Sequence, residues 1–70
     1  MKQNERAERT FAVYEQARKK KGVSDYSVSK SAGLRPSIIC DWKHGRYTPG
    51  FEKLALIARV VEIPLEAFLK

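Results

Sequence analysis

Apolar residues in the 70-residue chain recur every three or four positions and never alternate over a strand's length, the spacing of helices that bury one side. The pattern predicts an all-α chain. Ala7, Phe11, Tyr14 and Ala17 line one side of a first segment, and Arg18 to Lys21 load its last turn with cations that suit the negative end of the helix dipole. Gly22 then supplies a left-handed cap, so a helix is expected at about 5 to 21, with residues 1–4 frayed.

A second periodic segment follows Val23 and Ser24. The serine hydroxyl is suited to accept an orphan amide at a helix start, and Val23 is spaced to pack on Val28 as a hydrophobic staple. This helix is short, about 25 to 32, and Gly33 supplies the positive φ that closes it. Leu34 then stands to Ile39 as Val23 stands to Val28, and Pro36 suits the first turn of a third helix at about 36 to 44. Ile39 and Trp42 lie three apart on one side of it, while Ser37, Asp41 and His44 lie on the other. The first side is expected as core, anchored by Trp42 with its indole nitrogen in reach of the surface, and the second faces outward.

Gly45 to Gly50 read as a loop. Phe51, Leu54, Ala55, Ile57, Ala58 and Val61 then form the broad apolar face of a fourth helix, the most hydrophobic element. Pro64 opens a short fifth turn carrying Leu65, Phe68 and Leu69, which either close the bundle over the first helix or form a patch between two copies. There is no internal repeat, low-complexity segment or second domain, so residues 1–70 are expected to form a single domain.

Length and charge sharpen this picture. Seventy residues bury a small core, too small for a multidomain enzyme with an enclosed cofactor cleft, so tight helix packing or dimerisation is expected to contribute to stability. With 43% hydrophobic and 31% charged residues the chain is neither collagen-like nor disordered. Lys plus Arg number 14 and Asp plus Glu 8, a net charge of +6 that favours polyanionic partners, either nucleic acid or an anionic membrane surface. One cysteine cannot form an internal disulfide, and no leader-like apolar run lies near the start. The longest apolar stretch, Leu54 to Val61, is interrupted by Arg59 and falls short of the ~18 residues that cross a bilayer. A cytoplasmic protein that does not span a membrane is the expectation.

Two short helices, Ser24 to Ala32 and Pro36 to His44, are joined by a glycine-containing turn, and the second is apolar behind and polar in front. That is the geometry of a helix-turn-helix, here at about 24 to 44. The DNA major groove admits one α-helix, and the preceding helix braces it while its own N-terminal amides meet a phosphate. Val23-Ser24, Val28, Gly33-Leu34, Ser37, Ile39, Trp42, Gly45-Arg46 and Pro49 resemble, in residue type and spacing, the lambda-repressor-like, Cro-type (XRE) helix-turn-helix family. The likeness covers about residues 11 to 69. Within it, Asp41-Trp42-Lys43, Gly45-Arg46 and Pro49 are similar to the DWKxGRxxP version found in many phage and bacterial repressors. The resemblance implies a compact five-helix bundle and sequence-specific binding of double-stranded DNA, usually by a dimer on a two-fold symmetric operator.

Carried over one residue at a time, the resemblance implies that Arg35, Ser37, Ile38, Cys40 and Asp41 face the bases. Arg35 is a poor N-cap, and its side chain suits guanine or a phosphate. Pro36 cannot hydrogen-bond a base edge, which shifts the work to Arg35 and Ser37. Ile38 and Cys40 offer small apolar contacts to a thymine methyl, and Asp41 can accept from a cytosine amino group. Tyr26, Lys43, His44, Arg46 and Tyr47 are implied to position the phosphate backbone. Asp25 stands where relatives often place a phosphate-contacting glutamine; a carboxylate repels phosphate, and Tyr26 offers its hydroxyl instead. Arg18, which in many relatives pairs with an acidic residue at the position of Lys43, is expected to be free for phosphate or for Glu15.

Other readings of these residues are weaker. The cationic run at 18–21 reads as a solvated helix end. Cys40 and His44, four apart, would be half of a metal site with no second pair, so no metal or other cofactor is expected. His44 with Asp41 and Cys40 on one exposed helix lacks a cleft, an orienting third group and an oxyanion site, so neither an enzyme nor a small-molecule substrate is expected. The expected function is a transcriptional regulator, a repressor working as a weak homodimer. The alternative is an antitoxin-like or other protein-interaction module on the same fold, favoured by Asp25, Pro36 and Asp41. Binding of nucleic acid through charge alone is a third reading.

Overall fold

The computed structural model describes residues 5–69, and the fraying expected of residues 1–4 lies outside them. Four α-helices follow in order: α1 (Glu5–Lys21), α2 (Asp25–Ala32), α3 (Pro36–Lys43) and α4 (Phe51–Val61). Among the described residues there is no strand. The fifth helix of the expected bundle is instead a 3-10 turn, Leu65–Phe68. Its amide bonds reach back three residues, from Ala67 N–H to Pro64 O at 3.0 Å and from Leu69 N–H to Glu66 O at 2.9 Å, the tighter winding that short segments adopt. α3 also ends one residue early, with His44 as its C-cap.

Local capping chemistry sets these boundaries. The Ser24 hydroxyl accepts from Ser27 N–H at 3.1 Å and starts α2. All four α-helices end in the same closure, in which two successive amides turn back onto carbonyls of the last turn. At α2, Gly33 N–H donates to Lys30 O at 3.2 Å and Leu34 N–H to Ser29 O at 2.8 Å. The left-handed residue is glycine at 22, 33 and 45, but at the end of α4 it is Glu62, at φ 61°. Lys21 Nζ donates to Glu62 Oε2 at 2.7 Å, and this hydrogen bond holds the Glu62 carboxyl below its ordinary titration range.

The core gathers around Trp42, which is fully buried. Its ring centroid lies 5.3 Å from that of Phe11, edge-on, and 5.1 Å from that of Tyr14. Val28, Ile39, Leu54, Ile57, Ala58, Val61 and Phe68 complete the cluster, and half-buried Val23 and Leu34 pack against it in the manner of the expected staples. The indole nitrogen does not reach the surface. Trp42 Nε1 donates to Thr10 Oγ1 at 2.9 Å, and Thr10 in turn donates to Arg6 O at 2.7 Å. Burying the indole requires such an acceptor, because an unpaired N–H inside the core is costly.

Two apolar expectations divide at the ends of elements. Phe51, expected on the inner face of α4, is 62% exposed. It occupies the first helical position, and periodicity gives the side of a helix without saying where along the axis the core ends. In the last turn Phe68 is buried and Leu65 packs against the core, so these two close the bundle, whereas Leu69 stays 57% exposed. Among the described residues no helix is long and apolar enough to cross a membrane.

Candidate nucleic-acid interface

The corner between α1 and α2 braces the site. Tyr14 Oη donates to Asp25 Oδ1 at 2.6 Å, and Arg18 Nε lies 2.9 Å from the same oxygen. Arg18 Nη1 also donates to Val23 O at 3.0 Å, which ties the turn to the first helix. Arg18 is therefore not free for phosphate: its side chain is largely buried against Asp25, and Glu15 is a looser second partner at 4.0 Å. The expectation fails because the residue seven positions on replaces the missing acid at Lys43. Asp25 likewise does not confront phosphate as a bare carboxylate, since a phenol and a guanidinium already engage it. Burial first, and then the hydrogen bond to Asp25, push Tyr14 ionisation well above its ordinary value.

α3 stands on this brace with Ile39 and Trp42 turned into the core. Arg35 precedes it in extended conformation, makes no side-chain capping bond and is exposed. Ser37, Cys40, Lys43 and His44 are exposed, while Ile38, Asp41 and Tyr47 are half-buried. Cys40 is a free thiol. The helix thus brings Ser37, Cys40 and Asp41 to the side away from the indole, with Arg35 at its start and Lys43 and His44 at its end. Tyr26, on α2, is 62% exposed, with Lys30 Nζ 5.9 Å from its ring centroid. Among the described residues no cluster of His, Cys, Asp and Glu is arranged to hold a metal ion.

At the end of α3 the structure joins two residues expected to act apart. Arg46 donates to Asp41 Oδ1 from Nε at 3.2 Å and from Nη2 at 3.1 Å. The pair is exposed, so its direct contribution to folding is small. Pro49 is buried farther along the loop and anchors it to the body of the protein.

A helix-turn-helix family model matches residues 15–68, more than half of the chain. The chain belongs to the Cro/lambda-repressor-like helix-turn-helix family. No characterised protein matches it at significant similarity. The helix-turn-helix family binds double-stranded DNA, and the match runs from the second half of α1 through the last buried aromatic, so it takes in Arg18 and Asp25 of the brace, α3 and the closing turn together.

Sequence reasoning missed three parts of this site. Thr10, the acceptor that allows Trp42 to be buried, carried no signal beyond its register with Ala7 and Tyr14. The Tyr14–Asp25–Arg18 cluster crosses a turn and is invisible to periodicity. Lys30 was detectable, because it follows Tyr26 at the four-residue spacing that places two side chains together on a helix.

Proposed function

We propose that the helix-turn-helix chain is a sequence-specific transcriptional repressor, folded as a single domain over residues 1–70, that enters the major groove with α3 and excludes other proteins from its operator. The observation that carries this reading is the division of α3 into a core side, Ile39 and Trp42, and an outer side with Ser37, Cys40 and Asp41 flanked by Arg35, Lys43 and Arg46. In it Arg35, Ser37, Ile38, Cys40 and Asp41 read bases, and Tyr26, Lys43, His44, Arg46 and Tyr47 hold the backbone. Exposed Leu69 supports a weak homodimer on a two-fold operator. A net charge of +6 supports the encounter with DNA in the cytoplasm.

Selection from randomised duplexes tests this. A short half-site repeated with two-fold symmetry at about one helical turn is the expected outcome. With roughly three to five phosphate contacts per protomer, log affinity should fall against log salt with a slope of about −3 to −5. Recovery of unsorted sequences with that slope would leave charge-driven binding, and a flat salt response would favour the protein-interaction module.

A further inference from the structure

Asp41 and Arg46 are brought together by how α3 ends. Gly45, at φ 75°, reverses the chain; its N–H donates to Trp42 O at 3.1 Å, and Arg46 N–H donates to Asp41 O at 2.9 Å. This closure sets the residue after the glycine beside the one that opens the last turn, where an apolar contact commonly sits. Here the contact is an ion pair. Both guanidinium bonds go to a single oxygen, Oδ1, at 3.2 and 3.1 Å. Neither bond uses Asp41 Oδ2, and the guanidinium keeps three further N–H groups.

We propose that Arg46 is a positioning residue for base selection: it fixes and neutralises Asp41 through Oδ1 so that Oδ2 can accept from a cytosine amino group. The inference rests on the major-groove reading of α3 given above. A bare carboxylate is repelled by the phosphates that line the groove, whereas a carboxylate paired with a guanidinium enters with little net charge. Holding one oxygen also fixes the direction of the other, which is what a single hydrogen bond to a base edge needs. The spare N–H groups of Arg46 remain available to a phosphate, so one side chain serves both affinity and selectivity.

The test uses the full chain, its selected duplex, and duplexes changed at single base pairs. Asp41→Ala identifies the base pair that Asp41 reads, as the position where discrimination disappears. For that pair, the ratio of Kd values between changed and selected duplexes is expected to be about tenfold in the wild type. Arg46→Ala should lower this ratio to about twofold or less while weakening both duplexes. Arg46→Lys, which keeps the charge without the fork, should retain part of it. Adding Arg46→Ala to Asp41→Ala should lower the ratio no further. If Arg46→Ala weakens both duplexes by the same factor and leaves the ratio intact, Arg46 is a phosphate contact only and the inference falls while the groove reading stands. If Asp41→Ala leaves every ratio intact, Asp41 reads no base and the inference falls, while the groove reading stands or falls on the duplex selection.

Discussion

Two Arg–Asp pairs of nearly equal length occupy the two ends of the helix-turn-helix, and their surroundings give them different work. Arg18 and Asp25 approach to 2.9 Å and Arg46 and Asp41 to 3.1 Å. The Arg18 side chain is 18% exposed and that of Arg46 61%. In the first pair Asp25 also accepts from buried Tyr14, and Arg18 also donates to the Val23 carbonyl, so the ions belong to a network that joins α1, a turn and α2. In the second, the partners belong to one helix end, and both guanidinium bonds go to the same carboxylate oxygen. The comparison separates ion pairing as scaffold from ion pairing as presentation: what matters is how many other groups lose a partner when the pair is broken.

Matched alanine substitutions provide the widest separation. Asp25→Ala leaves the Tyr14 hydroxyl buried without its acceptor and the Arg18 guanidinium without its counter-ion, and should cost about 2 kcal/mol of unfolding free energy. Asp41→Ala strands no buried group and should stay within about 0.5 kcal/mol of the wild type. Urea unfolding of both variants decides the matter; equal losses would erase the distinction.

Alkaline pH probes the same contrast through Tyr14. Its folded-state pKa is raised above the unfolded value near 10, so the stability it contributes is fully present below pH 10. Above that, ionisation of the unfolded chain draws the equilibrium away from the native state by up to about 1.4 kcal/mol per pH unit. Tyr14→Phe removes this titration. The stability difference between wild type and Tyr14→Phe should therefore be constant below pH 10 and shift against the wild type above it. A difference that does not change with pH would mean that the phenol ionises as readily folded as unfolded, and the network would lose its claim to be a buried one.

The sequence carried the elements of this comparison unevenly. Helix limits were legible because they follow from local rules: Ser24 as N-cap, Gly22 and Gly33 as left-handed closures and Pro36 at a first turn all act within four residues. The outward side of α3 was legible for the same reason, since Ile39 and Trp42 fix the inward one. Partners across a turn or between helices were not: Asp25 for Arg18, Asp25 for Tyr14 and Thr10 for Trp42 answer the need of a buried polar atom, and hydrophobic spacing does not encode that need. The Asp41–Arg46 pair lies between these cases, because a glycine closure at Gly45 brings those two positions together by backbone geometry alone.

Those closures supply the smallest effect. Gly22 sits at φ 78°, and a Cβ there would meet nothing within 4 Å, so Gly22→Ala isolates the backbone cost of a left-handed residue, about 1 kcal/mol. Glu62 already bears that cost at φ 61°, offset by the exposed bond from Lys21. Glu62→Gly should therefore raise the thermal midpoint by a few degrees at neutral pH. The gain should grow at acid pH: the Glu62 carboxyl is held below its ordinary range, so the stability it contributes is present above pH 4.5 and disappears as pH falls through its folded-state value. A lower midpoint for Glu62→Gly at neutral pH would mean that the Lys21 bond outweighs the backbone strain, and that an exposed ion pair can act as scaffold, contrary to the separation drawn from Arg18 and Arg46.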